Sequence, residues 1–393
     1  MTVQTIRQAT AWAVLAASVS VGALDAQAQA QCTTLAADLG FPVGIAQSNL
    51  GNLLVSENGI RNVLHQGRIS ITGRDGSRRT LVDGLPSANS DVGDPAGPAG
   101  LIMRGRTLYV AMSIGNAIMA KPGNANARIP NPSPASRLFS SVLAMHFSAN
   151  AERTTLGFSL TATDHDALAD GEKVTLSNGG GDKLTIELVA NFPDYVPAPL
   201  PTAADNVRGS NPFDLALIGN RLYVTDGGRN LVWETDIHSG EFAALAAFDP
   251  IPNPMFPAVG PPMMDAVPTG IREFDGQLFV TLFRGVPFPA GTSVVEQVDP
   301  ETGAHAAIVT GLKTAIDVWP TKEDGEHTSL FVLQHSSGPA PFFVGPGTLT
   351  HIQSSGSTLL ASCLSRPSSM VRDEQSGAFY VTEVITGRLI VVR

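Results

Sequence analysis

One segment recurs along this chain: a Pro or short apolar stretch leads through a tight turn into a β-rich core ending at Val. Phe41-Pro42-Val43-Gly44-Ile45 runs through Gly51-Asn52 to Leu53-Leu54-Val55-Ser56-Glu57. Asn211-Pro212-Phe213-Asp214-Leu215 runs through Gly219-Asn220 to Leu222-Tyr223-Val224-Thr225-Asp226. Comparable copies reach Val110, Val280, Val332 and Val381, the last continuing as Thr382-Glu383. The six valines follow one another at 55, 114, 56, 52 and 49 residues. Several copies continue into a second hairpin, such as Arg68 to Thr72, Asp75-Gly76, then Arg79 to Val82. Each unit therefore reads as four antiparallel strands, about the length of a propeller blade. A lone sheet of this kind cannot bury both faces, so radial stacking is the expected arrangement.

The gap of 114 has room for two units, but no Pro-led copy with an aromatic-Val core lies between Val110 and Asn211. Ser141 to Phe147 and Lys183 to Phe192 read as outer strands of blade two, separated by an insertion over 149–182. The expected fold is an all-β, six-bladed β-propeller, with seven blades as the alternative. The last copy runs out of chain at Arg388 to Arg393 after three strands. The strand Thr33 to Leu39 stands where it can complete that blade and close the ring. Cys32 begins this strand and Cys363 lies in the outer strand of blade five, so a disulfide between them would staple the closure. Two free thiols remain the alternative.

Arg7, an apolar run from Ala11 to Leu24 and Ala26-Gln27-Ala28-Gln29-Ala30 have the order of a secretory signal over residues 1–30. The run is too short to span a bilayer, leaving 31–393 as one exported propeller domain, periplasmic or extracellular. With 25 Lys+Arg against 35 Asp+Glu, the net charge is -10, which argues against nucleic acid or an anionic membrane as the main partner. Nothing in the sequence points to an integral membrane anchor.

In a blade numbered a to d from the axis outward, the b–c and d–a connections share one face. These are the long ones: 113–139, 193–210, 249–266, 282–291 and 334–347. Long loops on a rigid scaffold are where binding usually lives. The same face receives the strand ends that carry Glu57, Asp226 and Glu383, with Asp214 and Asp317 near the start of their inner strands. These carboxylates can ring the channel mouth, and Glu57, Asp226 and Glu383 are candidate oxygen ligands for Ca²⁺ or another divalent cation. The plainer reading is solvated or capping carboxylates. Asp164, Asp166 and Asp170 lack helix-flanked EF-hand spacing and read as an exposed acidic turn.

No G-x-S-x-G elbow, H-E-x-x-H motif or Walker lysine is present. His335 follows the Val332 strand, and Arg284 sits on the corresponding loop one blade earlier; together they can bind an anion or move a proton. No catalytic constellation emerges.

The block from 210 to 318 resembles the ScyD/ScyE family. The resemblance is carried by Ser210-Asn211-Pro212-Phe213-Asp214-Leu215-Ala216, Val267-Pro268-Thr269-Gly270-Ile271, Gly285-Val286-Pro287-Phe288-Pro289-Ala290-Gly291 and Val298-Asp299-Pro300-Glu301-Thr302-Gly303. It implies an exported NHL-like or gluconolactonase-like propeller and supplies no mechanism. The chain departs from the family in the 149–182 insertion and a simpler first blade. Two functions follow as expectations. The first is a binding scaffold whose loop-rich face takes a small molecule, glycan or protein. The second is a metal-dependent, gluconolactonase-like hydrolase at the channel mouth. A quinoprotein-like dehydrogenase would need a deep basic pocket, and few basic residues lie near the inner strands.

Overall fold

Each repeat folds as a four-stranded antiparallel sheet, and six of them form a β-propeller. The computed structural model describes residues 30–393 except 155, 324 and 326; the secretory signal expected over residues 1–30 lies outside them but for Ala30. Blade one comprises Pro42–Gln47, Leu53–Glu57, Gly67–Thr72 and Arg78–Leu85. Blade two comprises Pro98–Arg104, Thr107–Met112, Ser141–Phe147 and Lys183–Asn191. Blade three is Pro212–Ile218, Arg221–Asp226, Leu231–Asp236 and Phe242–Ala247. Blade four is Pro268–Phe274, Gln277–Leu282, Ser293–Val298 and His305–Leu312. Blade five is Ala315–Glu323, His327–Gln334, Gly347–Gln353 and Gly356–Leu364. Blade six takes Pro367–Arg372, Phe379–Glu383 and Arg388–Val392 from the C-terminus and Cys32–Ala36 from the N-terminus. This closing strand is shorter than the Thr33 to Leu39 expectation, and Cys32 bonds Cys363 with 6.2 Å between Cα atoms.

The repeating residues have separable jobs. Val55, Val110, Val224, Val280, Val332 and Val381 are fully buried between blades. Pro opens the inner strand in five blades, opposite the last residue of strand b, as in Pro42 facing Glu57 and Pro212 facing Asp226. The first residue of a strand tolerates Pro because its missing N–H leaves no gap in the ladder. In all six blades the inner-strand ladder shifts register just after this position. Such a bulge leaves backbone groups unpaired, and in blades one, three and six the hydroxyl following the core Val takes them up, whereas Ala111 and Leu333 hold that place in blades two and five. Ser56 Oγ accepts from Gly44 N–H at 2.8 Å and donates to Ala99 O of blade two at 2.6 Å. Thr225 Oγ1 accepts from Asp214 N–H at 3.0 Å and donates to Thr269 O of blade four. Thr382 Oγ1 accepts from Ser369 N–H at 3.1 Å and donates to Val43 O of blade one at 3.0 Å. A column of buried hydroxyls thus joins one blade to the next. Thr225→Val, nearly isosteric, strands one donor and one acceptor; it should cost about 1–3 kcal/mol in urea unfolding, and no loss would refute this role.

The 149–182 insertion is packed against the ring. Phe158–Ser159 runs parallel to the blade-one outer strand at Val82 and Asp83, and Val174–Ser177 adds a fifth strand to blade two. Phe158, Leu160, Leu168 and Val174 join the core shared by blades one and two. The acidic segment departs from expectation here: Ala162–Ala169 is an α-helix, opened by a Thr161 and Asp164 capping box. Asp170 at its end pairs with Arg137 at 2.7 Å. Among the described residues no helix is long and apolar enough to cross a membrane.

Candidate functional site

Glu57, Asp226 and Glu383 occupy the same ladder position at the end of strand b, and each is fully buried. Their carboxylates turn into their own blades. Glu57 accepts from Gly40 N–H and Ser70 Oγ, with Arg68 Nη2 at 3.1 Å. Asp226 accepts from Ser210 Oγ at 2.7 Å, Asn211 N–H at 2.7 Å, Arg229 N–H at 3.0 Å and Trp233 Nε1 at 3.0 Å. Glu383 accepts from Ser365 N–H at 2.6 Å, Thr386 Oγ1 at 2.6 Å and Arg388 Nη2 at 2.6 Å. Each carboxylate ties the segment entering strand a to strand c, a device for satisfying buried backbone donors. Among the described residues no group of three or more His, Cys, Asp or Glu comes together as a metal set. The three candidate ligands are therefore not gathered at the mouth.

Asp214 and Asp317 behave differently, because a residue that sequence reasoning passed over brings them together. Arg272, on the inner strand of blade four, donates through Nη1 to Asp214 Oδ2 and through Nη2 to Asp317 Oδ2, the latter at 2.7 Å. Asp317 Oδ2 also accepts from Ser369 Oγ at 3.0 Å and Met370 N–H at 2.8 Å; its Oδ1 accepts from Val318 N–H. Asp214 Oδ2 accepts from Ile271 N–H at 3.1 Å. The carboxylate–guanidinium–carboxylate chain thus spans blades three to six. Burial opposes the charge on Arg272, but the two carboxylates outweigh it and raise its pKa. Burial also pushes Asp317 up to about 6, with Arg272 pulling down and Asp214 adding to the rise. The inner-strand column Ala46, Ile102, Ala216, Arg272, Trp319 and Val371 contains one cation, which is the signal that would have found it.

A small apolar cluster gathers side chains from the starts of three inner strands and the loops beside them. Phe213 packs with Val43, Ala99, Val384 and Phe41. On the opposite, tight-turn side a cavity of about 240 Å³ opens beside Arg272, lined also by Phe274, Trp319 and Glu374.

Arg284 is buried and His335 half-buried beneath the loops, each with its own backbone partner. His335 Nδ1 lies 2.9 Å from Pro367 O, and burial lowers its pKa to about 4, leaving the ring neutral near pH 7. Arg284 Nε donates to Thr292 O at 3.0 Å, and burial lowers its pKa against the pull of Glu296. What His335 supports is an aromatic cluster. Its ring meets Phe283 and Phe343 edge-on, while Phe288 and Phe343 stack at 4.5 Å between centroids. Phe342 N–H donates to Pro287 O at 2.7 Å, fixing one loop on the other. Arg366 donates to Gly345 O and Phe343 O, and Lys313 Nζ donates to Gly338 O and Ala340 O at 2.6 Å. Phe342, Phe343 and Val344 are left exposed at the tip.

That tip belongs to a wider pattern. Of sixteen exposed large hydrophobic side chains among the described residues, only Leu50, Leu156 and Phe242 lie outside the b–c and d–a connections. None of these connections contains a Glu.

No protein-family model matches the chain, and no curated protein matches it by sequence. Solved structures do match in fold. A carbohydrate-active enzyme of family AA12 from Trichoderma reesei shares 12% identity over 94% of this chain and 97% of its own, with a TM-score of 0.51. A glucose dehydrogenase shares 12% over 92% of this chain and 99% of its own, at 0.50. Virginiamycin B lyase from Staphylococcus aureus shares 12% over 93% of this chain and 98% of its own, at 0.44. At such identities the likeness is one of β-propeller fold.

Proposed function

We propose that this chain is an exported, ScyD/ScyE-like propeller that acts as a binding scaffold, taking a small molecule, glycan or protein on its loop-rich face. The observation that carries the reading is the segregation of exposed apolar side chains onto that one face, crowned by Phe342, Phe343 and Val344 over the Phe283–Phe288–His335 cluster. Exposed apolar groups gathered on one side of a soluble scaffold mark interaction sites, and aromatic anchors supply most of the energy at such sites. The Cys32–Cys363 bridge agrees with an oxidising compartment. The hydrolase alternative draws no support from Glu57, Asp226 and Glu383, whose carboxylates are taken up within their blades.

The test is a ligand screen by thermal shift over aromatic small molecules and a glycan array, repeated on Phe342→Ser/Phe343→Ser. Truncating two aromatic anchors should weaken a true ligand at least tenfold, about 1.4 kcal/mol or more. Ligands indifferent to both substitutions, or turnover of a lactone that disappears in Glu57→Gln, would refute the reading.

A further inference from the structure

Adjacent blades diverge outward, so every junction leaves a wedge between outer strands. At five junctions the chain fills it. Three use the c–d hairpin of one blade, leaning on the outer strand of the blade before. A Cβ added at Gly76 would fall 2.6 Å from Leu35 O, at Gly240 2.5 Å from Val189 O, and at Gly303 1.9 Å from Leu245 O. Between blades one and two the insertion enters, with Phe158 and Leu160 in the core and Leu160 N–H on Asp83 O at 3.1 Å. Between blades five and six stand the disulfide and the 2.8 Å bond from Ala30 N–H to Leu360 O.

The junction of blades four and five is the exception. The hairpin that should close it ends at Gly356, where an added Cβ would meet nothing within 4 Å. A groove of about 520 Å³ remains. Phe279 of blade four and Leu330 of blade five floor it, with half-buried Ile308, Val309 and Ile352 on its walls. Gln277, Gln297 and Gln353 supply uncharged polar groups at the rim beside His305 and His327, and the Asp299 carboxylate there is taken up by Glu301 N–H and Thr302 N–H of its own turn. The groove is bounded by the outer strand His305–Leu312, where Ala306 and Ala307 are exposed. It opens among the tight turns, away from the loop-rich face.

We infer that this groove binds an extended, uncharged peptide segment of a partner protein, which pairs with the His305–Leu312 edge and seats alternate apolar side chains against Phe279, Leu330 and Ile352. The molecule contains the precedent. At the junction of blades one and two, Phe158–Ser159 pairs with the outer strand of blade one and drives Phe158 and Leu160 into the same kind of wedge. An open sheet edge beside an apolar pocket supports this mode of recognition: backbone bonds give affinity and alternate pockets give selectivity. The volume lies in the range of about 300–1,000 Å³ that suits compact ligands.

The test titrates the full chain by calorimetry with acetylated, amidated hexapeptides that alternate Phe, Leu or Ile with Ser or Thr. The first has the sequence of residues 156–161, in which Gly takes one of the polar places. At least one should bind saturably. Ala307→Trp, which fills the groove from an exposed position, should weaken it at least tenfold; Gln353→Trp on the other wall serves if that variant does not fold. N-methylation of alternate peptide nitrogens should weaken it equally. Phe342→Ser/Phe343→Ser should leave it unchanged, which separates this site from the loop-rich face. The inference is overturned if no peptide saturates, if groove filling has no effect, or if N-methylated peptides bind as well, which would indicate a pocket reading side chains alone.

Discussion

Arg272→Met is expected to destabilise the propeller by about 3–5 kcal/mol, the usual cost of removing one partner from a buried ion pair. Methionine keeps most of the volume, so packing changes little and electrostatics dominate. Asp214 and Asp317 would then lie buried without the guanidinium that joins them. Asp214→Asn/Arg272→Met/Asp317→Asn should recover much of the loss, because it removes the charges as well as their counterion. The pH dependence gives a second readout. Asp317 holds its proton up to about 6 in the fold, against 3.8 ordinarily, so the folded state binds more protons between those values. Its contribution to stability is fully present below about 4 and is lost as pH rises through about 6. Urea midpoints measured from pH 4 to 8 should show a downward component in the native chain that Asp317→Asn lacks. A loss under about 1 kcal/mol for Arg272→Met would mean that the network is not a structural clasp.

Reducing the disulfide should have the next largest effect. Cys32 and Cys363 are separated by 331 residues, so the bridge restricts nearly the whole unfolded chain. Loop-closure entropy sets an upper figure of about 6 kcal/mol for so long a loop, and removing a native disulfide costs about 2–5 kcal/mol in practice. Cys363 is exposed and open to reductant. Dithiothreitol treatment and Cys32→Ser/Cys363→Ser should lower the urea midpoint by the same amount, and each should cancel the effect of the other. An unchanged midpoint in the verified dithiol form would show that strand pairing alone holds the ring shut.

The blade count, the N-terminal closure and the outer strands around the insertion were legible because they rest on period and punctuation: Pro at the start of the inner strand, a tight turn, an aromatic or aliphatic run, Val. Direction was not legible. Glu57, Asp226 and Glu383 were placed at equivalent strand ends, yet their carboxylates face the donors of Gly40, Asn211 and Ser365. Those donors precede the prolines, and nothing in the residue pattern says which way such a side chain turns. Arg272 carries no motif of its own, and its distinction lies in the column across blades, where it is the one cation. The helix at Ala162–Ala169 was missed for a local reason. Thr161 and Asp164 form a capping box, whereas Asp166 and Asp170 read as turn residues; packing of Leu168 in the interblade core decides in favour of the helix.

Building blade six from segments so far apart in sequence has a consequence for how the protein reaches its native state. The strand Cys32–Ala36 is synthesised more than 350 residues before its partner Arg388–Val392. Until then Leu53 and Val55 of blade one lack the neighbouring wall supplied by Val371 and Tyr380. Assembly must therefore wait on an encounter across more than 350 residues, a separation that favours slow association. Holding the waiting edges apart from other chains becomes a task for the cell that makes it.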